Sequence, residues 1–193
     1  MKRVSQLTAL TAALGLAAFS SFAAEMAPSL TLTALQQQQG ALIDTRASAF
    51  YNGWPQTLNG PSGHEPAALN LSASWLGAMN ETQLKAWASQ HQLTPTTPVA
   101  LYGSDSDNQA VKARLNQAGF SQVTLLSDAL QTPARLQRLA HFEQLVYPQW
   151  LHQLQQGKPV TAAPAGEWRV IEAAWGAPKF YLLSHIPGAD YID

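Results

Sequence analysis

The chain has no cysteine among its 193 residues. That excludes disulfides, thiolate nucleophiles, persulfides carried on this chain and cysteine-ligated metals. Methionine cannot stand in, because a thioether has no ionisable S–H. Charge is sparse as well: Asp, Glu, Lys and Arg make up 12% of the residues and the net charge is −1. A basic nucleic-acid face and a polybasic membrane patch are therefore not expected. No Gly-x-Ser-x-Gly elbow and no phosphate-cradling glycine loop occurs, which argues against a serine hydrolase and a nucleotide site. His64-Glu65 opens like a zinc-protease His-Glu-x-x-His, but Ala68 stands where the second His belongs and Pro66 would break the helix. The five histidines, at 64, 91, 141, 152 and 185, show no ligand spacing. Asp105-x-Asp107-x-Gln109 lacks the glycine and the distal acid of a calcium loop, with Ala110 and Asn116 at those places. Acids at a helix start need no metal to explain them. No metal and no cofactor is expected.

What is present begins with a leader. Lys2 and Arg3 precede an apolar stretch from Leu7 to Phe22, and Ser21-Phe22-Ala23 offers small residues at a cleavage site. Residues 1–23 read as a signal peptide cut after Ala23, which implies a periplasmic protein. Thr8, Thr11, Gly15 and Ser20 interrupt the apolar run, which is too short and too broken for a spanning anchor. With 46% apolar residues the remainder can build a packed core. Without disulfides, packing must hold it.

The pattern after the leader alternates helix and strand. Leu30–Gln39 reads as a helix stopped at Gly40, and Ala41–Asp44 as a buried strand. Residues 52–66 are rich in Gly and Pro and read as a loop, and Ala68–Leu71 reads as extended. Asn80 caps a helix to His91 with Leu84, Trp87 and Ala88 inward. Pro98–Tyr102 is a strand, and Ser106 or Asp107 caps a helix to Ala118 that Gly119 ends. Val123–Leu126 is a third strand. This alternation predicts an α/β fold: a doubly wound parallel sheet with helices on both faces. Residues 141–166 read as a linker with a helix at Pro148–Gln156, and Phe142, Tyr147 and Trp150 as a docking surface for a following domain. The six tryptophans are too scattered for a stacking platform.

Two late segments echo early ones. Ala41-Leu42-Ile43-Asp44 matches Val170-Ile171-Glu172-Ala173 in type, and Gly63-His64-Glu65-Pro66-Ala67-Ala68 matches Ser184-His185-Ile186-Pro187-Gly188-Ala189. The repeat divides the chain into a first domain over 24–140, the linker over 141–166, and the start of a second, truncated copy over 167–193.

These motifs resemble the rhodanese (thiosulfate sulfurtransferase) family. Asp44-Thr45-Arg46 is similar to the family's Asp-x-Arg strand end. His185-Ile186-Pro187-Gly188-Ala189 is nearly intact against its Gly-His-Ile-Pro-Gly-Ala turn, and Gly63-His64-Glu65-Pro66-Ala67 is a degraded form. The resemblance implies that Asp44, Arg46, His64, Pro66, His185, Pro187 and Gly188 serve structure. It also implies an active-site loop at Gly103-Ser104-Asp105-Ser106-Asp107-Asn108, with Gly103 where the family carries its cysteine. That loop is expected to curl its N–H groups around an anion. Asp105 and Asp107 put the wrong charge there, at a cost on the order of 1 kcal/mol each. No residue of this chain is expected to be catalytic. The family's sulfur transfer would rest on a cysteine beyond residue 193, with downstream rhodanese domains and a sulfur-acceptor protein as partners. The other class of reading is a binding module for a protein or an anion.

Overall fold

A computed structural model describes residues 30–193, so the expected signal peptide lies outside the described residues. The first helix, α1 (Leu32–Gln37), starts at Thr31, whose hydroxyl accepts the Ala34 N–H. It leads into β1 (Ala41–Asp44), then α2 (Ser48–Asn52) and the short β2 (Leu69–Asn70). Next come α3 (Glu81–Gln90), β3 (Val99–Tyr102), α4 (Asp105–Gln117) and β4 (Val123–Leu125). The four strands form one sheet in the order β2-β1-β3-β4, with every pairing parallel.

Side-chain alternation builds the two faces. On one face Ile43, Val99, Leu101 and Val123 pack with Leu84 and Ala88 of α3 and Val111 and Leu115 of α4. On the other, Leu42, Ala100 and Tyr102 pack with Leu35 of α1, flanked by Tyr51, Leu126, Ala129 and Leu130. The second face is thus covered by one short helix and irregular chain. Asn80 caps α3 with a full capping box, its side chain and that of Gln83 each bonding the other's backbone N–H.

The cap of α4 differs from expectation. Ser104, not Ser106 or Asp107, is its N-cap, accepting the Asp107 N–H at 3.2 Å. Asp105 and Asp107 therefore lie in the first helical turn, where the positive end of the helix dipole favours them. The short helix α2 ends at Asn52, where the segment rich in Gly and Pro begins, and a late helix spans Lys179–Leu183.

The aromatic segment also departs from expectation. Phe142 and Trp150, the latter on α5 (Pro148–Gln155), are buried against Trp54 in a small core of their own. Trp54 makes edge contacts with Phe142 and Tyr147, at centroid distances of 5.4 and 5.7 Å. These rings clamp the segment back onto the first unit and do not form an outward docking surface.

The late segments form β5 (Val170–Ala173) and β6 (Ala189–Ile192), a parallel pair joined through α6 (Lys179–Leu183). This reproduces β1-α2-β2. In each copy a turn precedes the second strand: Ala68 N–H bonds Glu65 O at 3.0 Å, and Ala189 N–H bonds Ile186 O at 2.9 Å. Proline holds the first central position of both turns, and a left-handed residue the second: Ala67 at φ 62° and Gly188 at φ 77°. In each copy a tyrosine stacks on the motif histidine, Tyr51 on His64 and Tyr181 on His185, at 3.8 and 4.1 Å. Each tyrosine hydroxyl bonds the residue that opens or precedes the second strand, Ala68 O and Ala189 O, both at 2.7 Å. The turn motif therefore repeats in geometry as well as letters.

The strand register moves the repeat by one residue. Ile43 pairs Leu69 and Asp44 pairs Asn70, while Ile171 pairs Asp190 and Glu172 pairs Tyr191. Anchored on Ala68 and Ala189, Asp44 corresponds to Glu172, Thr45 to Ala173 and Arg46 to Ala174. Matching by residue type instead sets Asp44 against Ala173, because similar apolar runs align equally well at either offset.

Ala67 holds a conformation that costs an L-residue about 1 kcal/mol and glycine nothing. Ala67→Gly should stabilise the fold by about 0.5 kcal/mol after the added unfolded-state entropy, read as a higher urea midpoint at unchanged slope.

Candidate functional site

In an open parallel sheet the site expected for a ligand is the crevice at the carboxyl ends of the strands, where the strand order reverses. Here the chain leaves β1 for β2 on one side and returns to β3 on the other, so the reversal lies between β1 and β3. Asp44 pairs Tyr102 at the strand ends, which sets Asp44-Thr45-Arg46 beside Gly103.

Asp44 and Arg46 are both fully buried and form a pair at 2.6 Å. Asp44 also accepts the Arg46 backbone N–H at 3.0 Å and the Nε at 3.0 Å. The second guanidinium nitrogen, Nη2, reaches Gly63 O at 2.7 Å, tying the strand end to the His64 turn. Burial works against the charged guanidinium, but the hydrogen bonds and charge of Asp44 outweigh it and hold the Arg46 pKa above its ordinary value. The guanidinium lies 5.6 Å over the Tyr102 ring. The pair forms a buried corner at the end of β1.

Thr45 fills the reversal point. Its hydroxyl lies 2.8 Å from Asn108 Oδ1 and 3.1 Å from Tyr102 O, and both Thr45 and Asn108 are buried. Gly103 adopts φ 151°, and a Cβ built there would meet Thr45 Oγ1 at 2.1 Å. Beside it, Tyr102, Asp105, Asn108 and the 125–130 segment line a cavity of about 180 Å³.

This corrects the loop expected at Gly103-Ser104-Asp105-Ser106-Asp107-Asn108. Only Gly103 and Ser104 connect β3 to α4; Asp105, Ser106, Asp107 and Asn108 are its first turn. Ser104 caps the helix directly after Gly103. Asn108 turns its side-chain oxygen toward the Thr45 hydroxyl. A side chain at 103 would meet the Thr45 hydroxyl.

The remaining motif residues have local jobs. His64 Nδ1 lies 2.7 Å from Tyr51 O, and His185 Nδ1 lies 2.9 Å from Tyr181 O. Pro66 and Pro187 set the two turns, and Pro187 O accepts Gln155 Nε2 at 2.8 Å. No group of acids and histidines able to hold a metal occurs among the described residues.

Sequence reasoning misses two contacts. One is between Thr45 and Asn108. The other is made by Glu65, fully buried, which accepts Leu130 N–H at 2.6 Å and pairs with Arg135 at 2.7 Å. Glu65 pins the chain after β4 across the end of the sheet, and His64 and Gln137 exchange backbone bonds alongside. A signal for Glu65 exists: the second copy holds Ile186 where the first holds Glu65, and an acid in an apolar slot requires a partner.

Sheet, turn and strand end together define a rhodanese-like α/β unit with Gly103 just past the end of β3. Over 193 residues, 100% of this chain and 44% of the relative, the sequence is 72% identical to thiosulfate sulfurtransferase YnjE of Escherichia coli (strain K12). The crystal structure of YnjE superposes with a TM-score of 0.84, covering 90% of this chain and 42% of that one. The wild-type structure of EanB is 25% identical, with a TM-score of 0.74 over 86% of this chain and 40% of that one. No protein-family model matches. The chain spans under half the length of these relatives.

Arg46→Ala would strand the buried Asp44 charge and should cost about 3–5 kcal/mol, measured by urea unfolding. Tyr102 bears on alkaline stability. Burial first, and then the Asp44 charge, push its phenol well above the ordinary tyrosine range. In the unfolded chain it ionises near pH ~10, so the folded state binds the extra proton and stability falls as pH rises past that value. Tyr102→Phe should flatten that fall between about pH 10 and 12 in a series of unfolding midpoints.

Proposed function

We propose that this chain is the non-catalytic N-terminal part of an exported sulfurtransferase of the thiosulfate sulfurtransferase type. The observation that carries this reading is a glycine at 103 whose Cβ position would meet the Thr45 hydroxyl, joined to the identity with YnjE. The chain has no sulfur that can ionise. A persulfide would have to form on a cysteine outside these 193 residues. The division into a first domain over 24–140, a connecting segment over 141–166 and the start of a second domain over 167–193 belongs to the same proposal.

The apolar surface supports a packing role over a recruiting one. Ile43 and Leu71 are fully buried in the first unit, yet the corresponding Ile171 and Ile192 are 53% and 50% exposed. Trp175, Phe180, Leu182 and Leu183 are exposed as well. In the first unit that face is closed by residues 72–126, which carry α3, β3, α4 and β4. The matching elements of the second unit would follow residue 193 and lie against this one. The alternative, a module that recruits a protein or an anion through residues 103–108, would want an open cradle there, and those residues are instead mostly helix.

Export is proposed from the leader, with cleavage after Ala23. Among the described residues no helix is long and apolar enough to cross a membrane.

One preparation tests both parts. The chain expressed in a Gram-negative host is recovered from the periplasm, incubated with thiosulfate and cyanide, and weighed intact. The expected result is a mass beginning at Ala24, no added sulfur and no thiocyanate above buffer. A retained leader counts against export; a gain of one sulfur atom, or turnover, counts against the non-catalytic reading.

A further inference from the structure

Gly103 is exposed, and its positive φ of 151° alone disfavours a side chain there. A second obstacle comes from the residue that follows β1. The atom nearest to a Cβ at 103 is the Thr45 hydroxyl oxygen at 2.1 Å, followed by Arg46 Cγ and Asn108 Oδ1, each at 3.4 Å. The latter two are ordinary contacts. The Thr45 oxygen cannot yield by a small rotation, because it is held 2.8 Å from Asn108 and 3.1 Å from Tyr102 O in a fully buried position.

We propose that Thr45 is the residue that closes this site: its hydroxyl occupies the space that the Cβ of a nucleophile at position 103 would need. The proposal rests on reading position 103 as the seat of a sulfur-carrying side chain. The second copy supplies the contrast. By register Ala173 takes the place of Thr45, and its side chain ends at Cβ. Ala173 has no hydroxyl to stand over the β5 end. The two copies differ at the atom that decides whether a side chain fits beyond the next strand. Thr45 therefore acts as a specificity-determining residue between units, and its effect is steric.

A double-mutant cycle on the full 193-residue chain tests this. Wild type, Thr45→Ala, Gly103→Cys and the double variant are compared by urea unfolding. The strain of positive φ is present in both variants that carry the new residue, so it cancels, and the loss of the Asn108 contact cancels likewise. What remains is the clash. The expected result is a double variant whose unfolding equilibrium constant is about tenfold more favourable to the folded state than the two single effects combined. Additive losses would overturn the proposal. Should Gly103→Cys fail to fold, the same cycle is run with Gly103→Ala, which adds the Cβ alone.

The chain has no other thiol, so the double variant can also be offered thiosulfate. The thiolate would attack the outer sulfur, the S–S bond would break, and sulfite would leave with the electron pair, giving a persulfide. Coupling with a persulfide supports Thr45 as the closing residue and position 103 as a sulfur seat. Coupling without a persulfide still supports the role of Thr45 and counts only against the sulfur reading of the seat.

Discussion

The buried corner at Asp44-Thr45-Arg46 is the constraint on which the rest of the site depends. Asp44 and Arg46, two residues apart at the end of β1, form a salt bridge within the chain's own backbone neighbourhood. The Asp44 carboxylate accepts both the backbone N–H and the guanidinium of Arg46. With the corner fixed, Thr45 has one place for its side chain, between β1 and the first turn of α4. Arg46 then carries the constraint outward to Gly63 and so to the His64 turn. Two charges removed from water are costly, and the geometry offsets that cost with several well-directed bonds. One atom, Arg46 Nη1, is buried without a partner, a sign of how tightly the corner closes.

The second copy shows what the corner does by lacking it. Glu172 replaces Asp44, and Ala174 replaces Arg46, so no internal pair can form. The turn that follows keeps its proline, its left-handed residue and its tyrosine–histidine stack. Strand pairing and turn are thus independent of the buried ions. The ions serve the junction between the strand end, the His turn and the next strand, a junction the second copy does not form within the described residues.

How much of this can be read from letters follows from how local each feature is. The strands at 41–44 and 99–102 are legible because short apolar runs between breakers have few other uses. The Pro-Ala and Pro-Gly turns are legible because proline and a left-handed position leave a fixed signature. The cap of α4 is easily misplaced because Ser104, Ser106 and Asp107 are all good caps, and only the length of β3 chooses among them. The aromatic segment misleads for a different reason. Phe142 and Trp150 meet Trp54 across a long stretch of sequence, and no local pattern announces such a contact. The same holds for Glu65 with Arg135 and Thr45 with Asn108.

The missing cysteine looks at first like the whole account of why this unit carries no sulfur. The surroundings, however, are built to match its absence. With glycine at 103, the threonine hydroxyl can stand where a side chain would be, and Asn108 can turn inward to bond it. Ser104 begins the helix directly after the glycine. Each of these features is stabilising on its own terms: a satisfied hydroxyl, a buried amide with a partner, a capped helix. Together they fix the end of β1 against the start of α4, beside the cavity that Tyr102, Gly103 and Asn108 line.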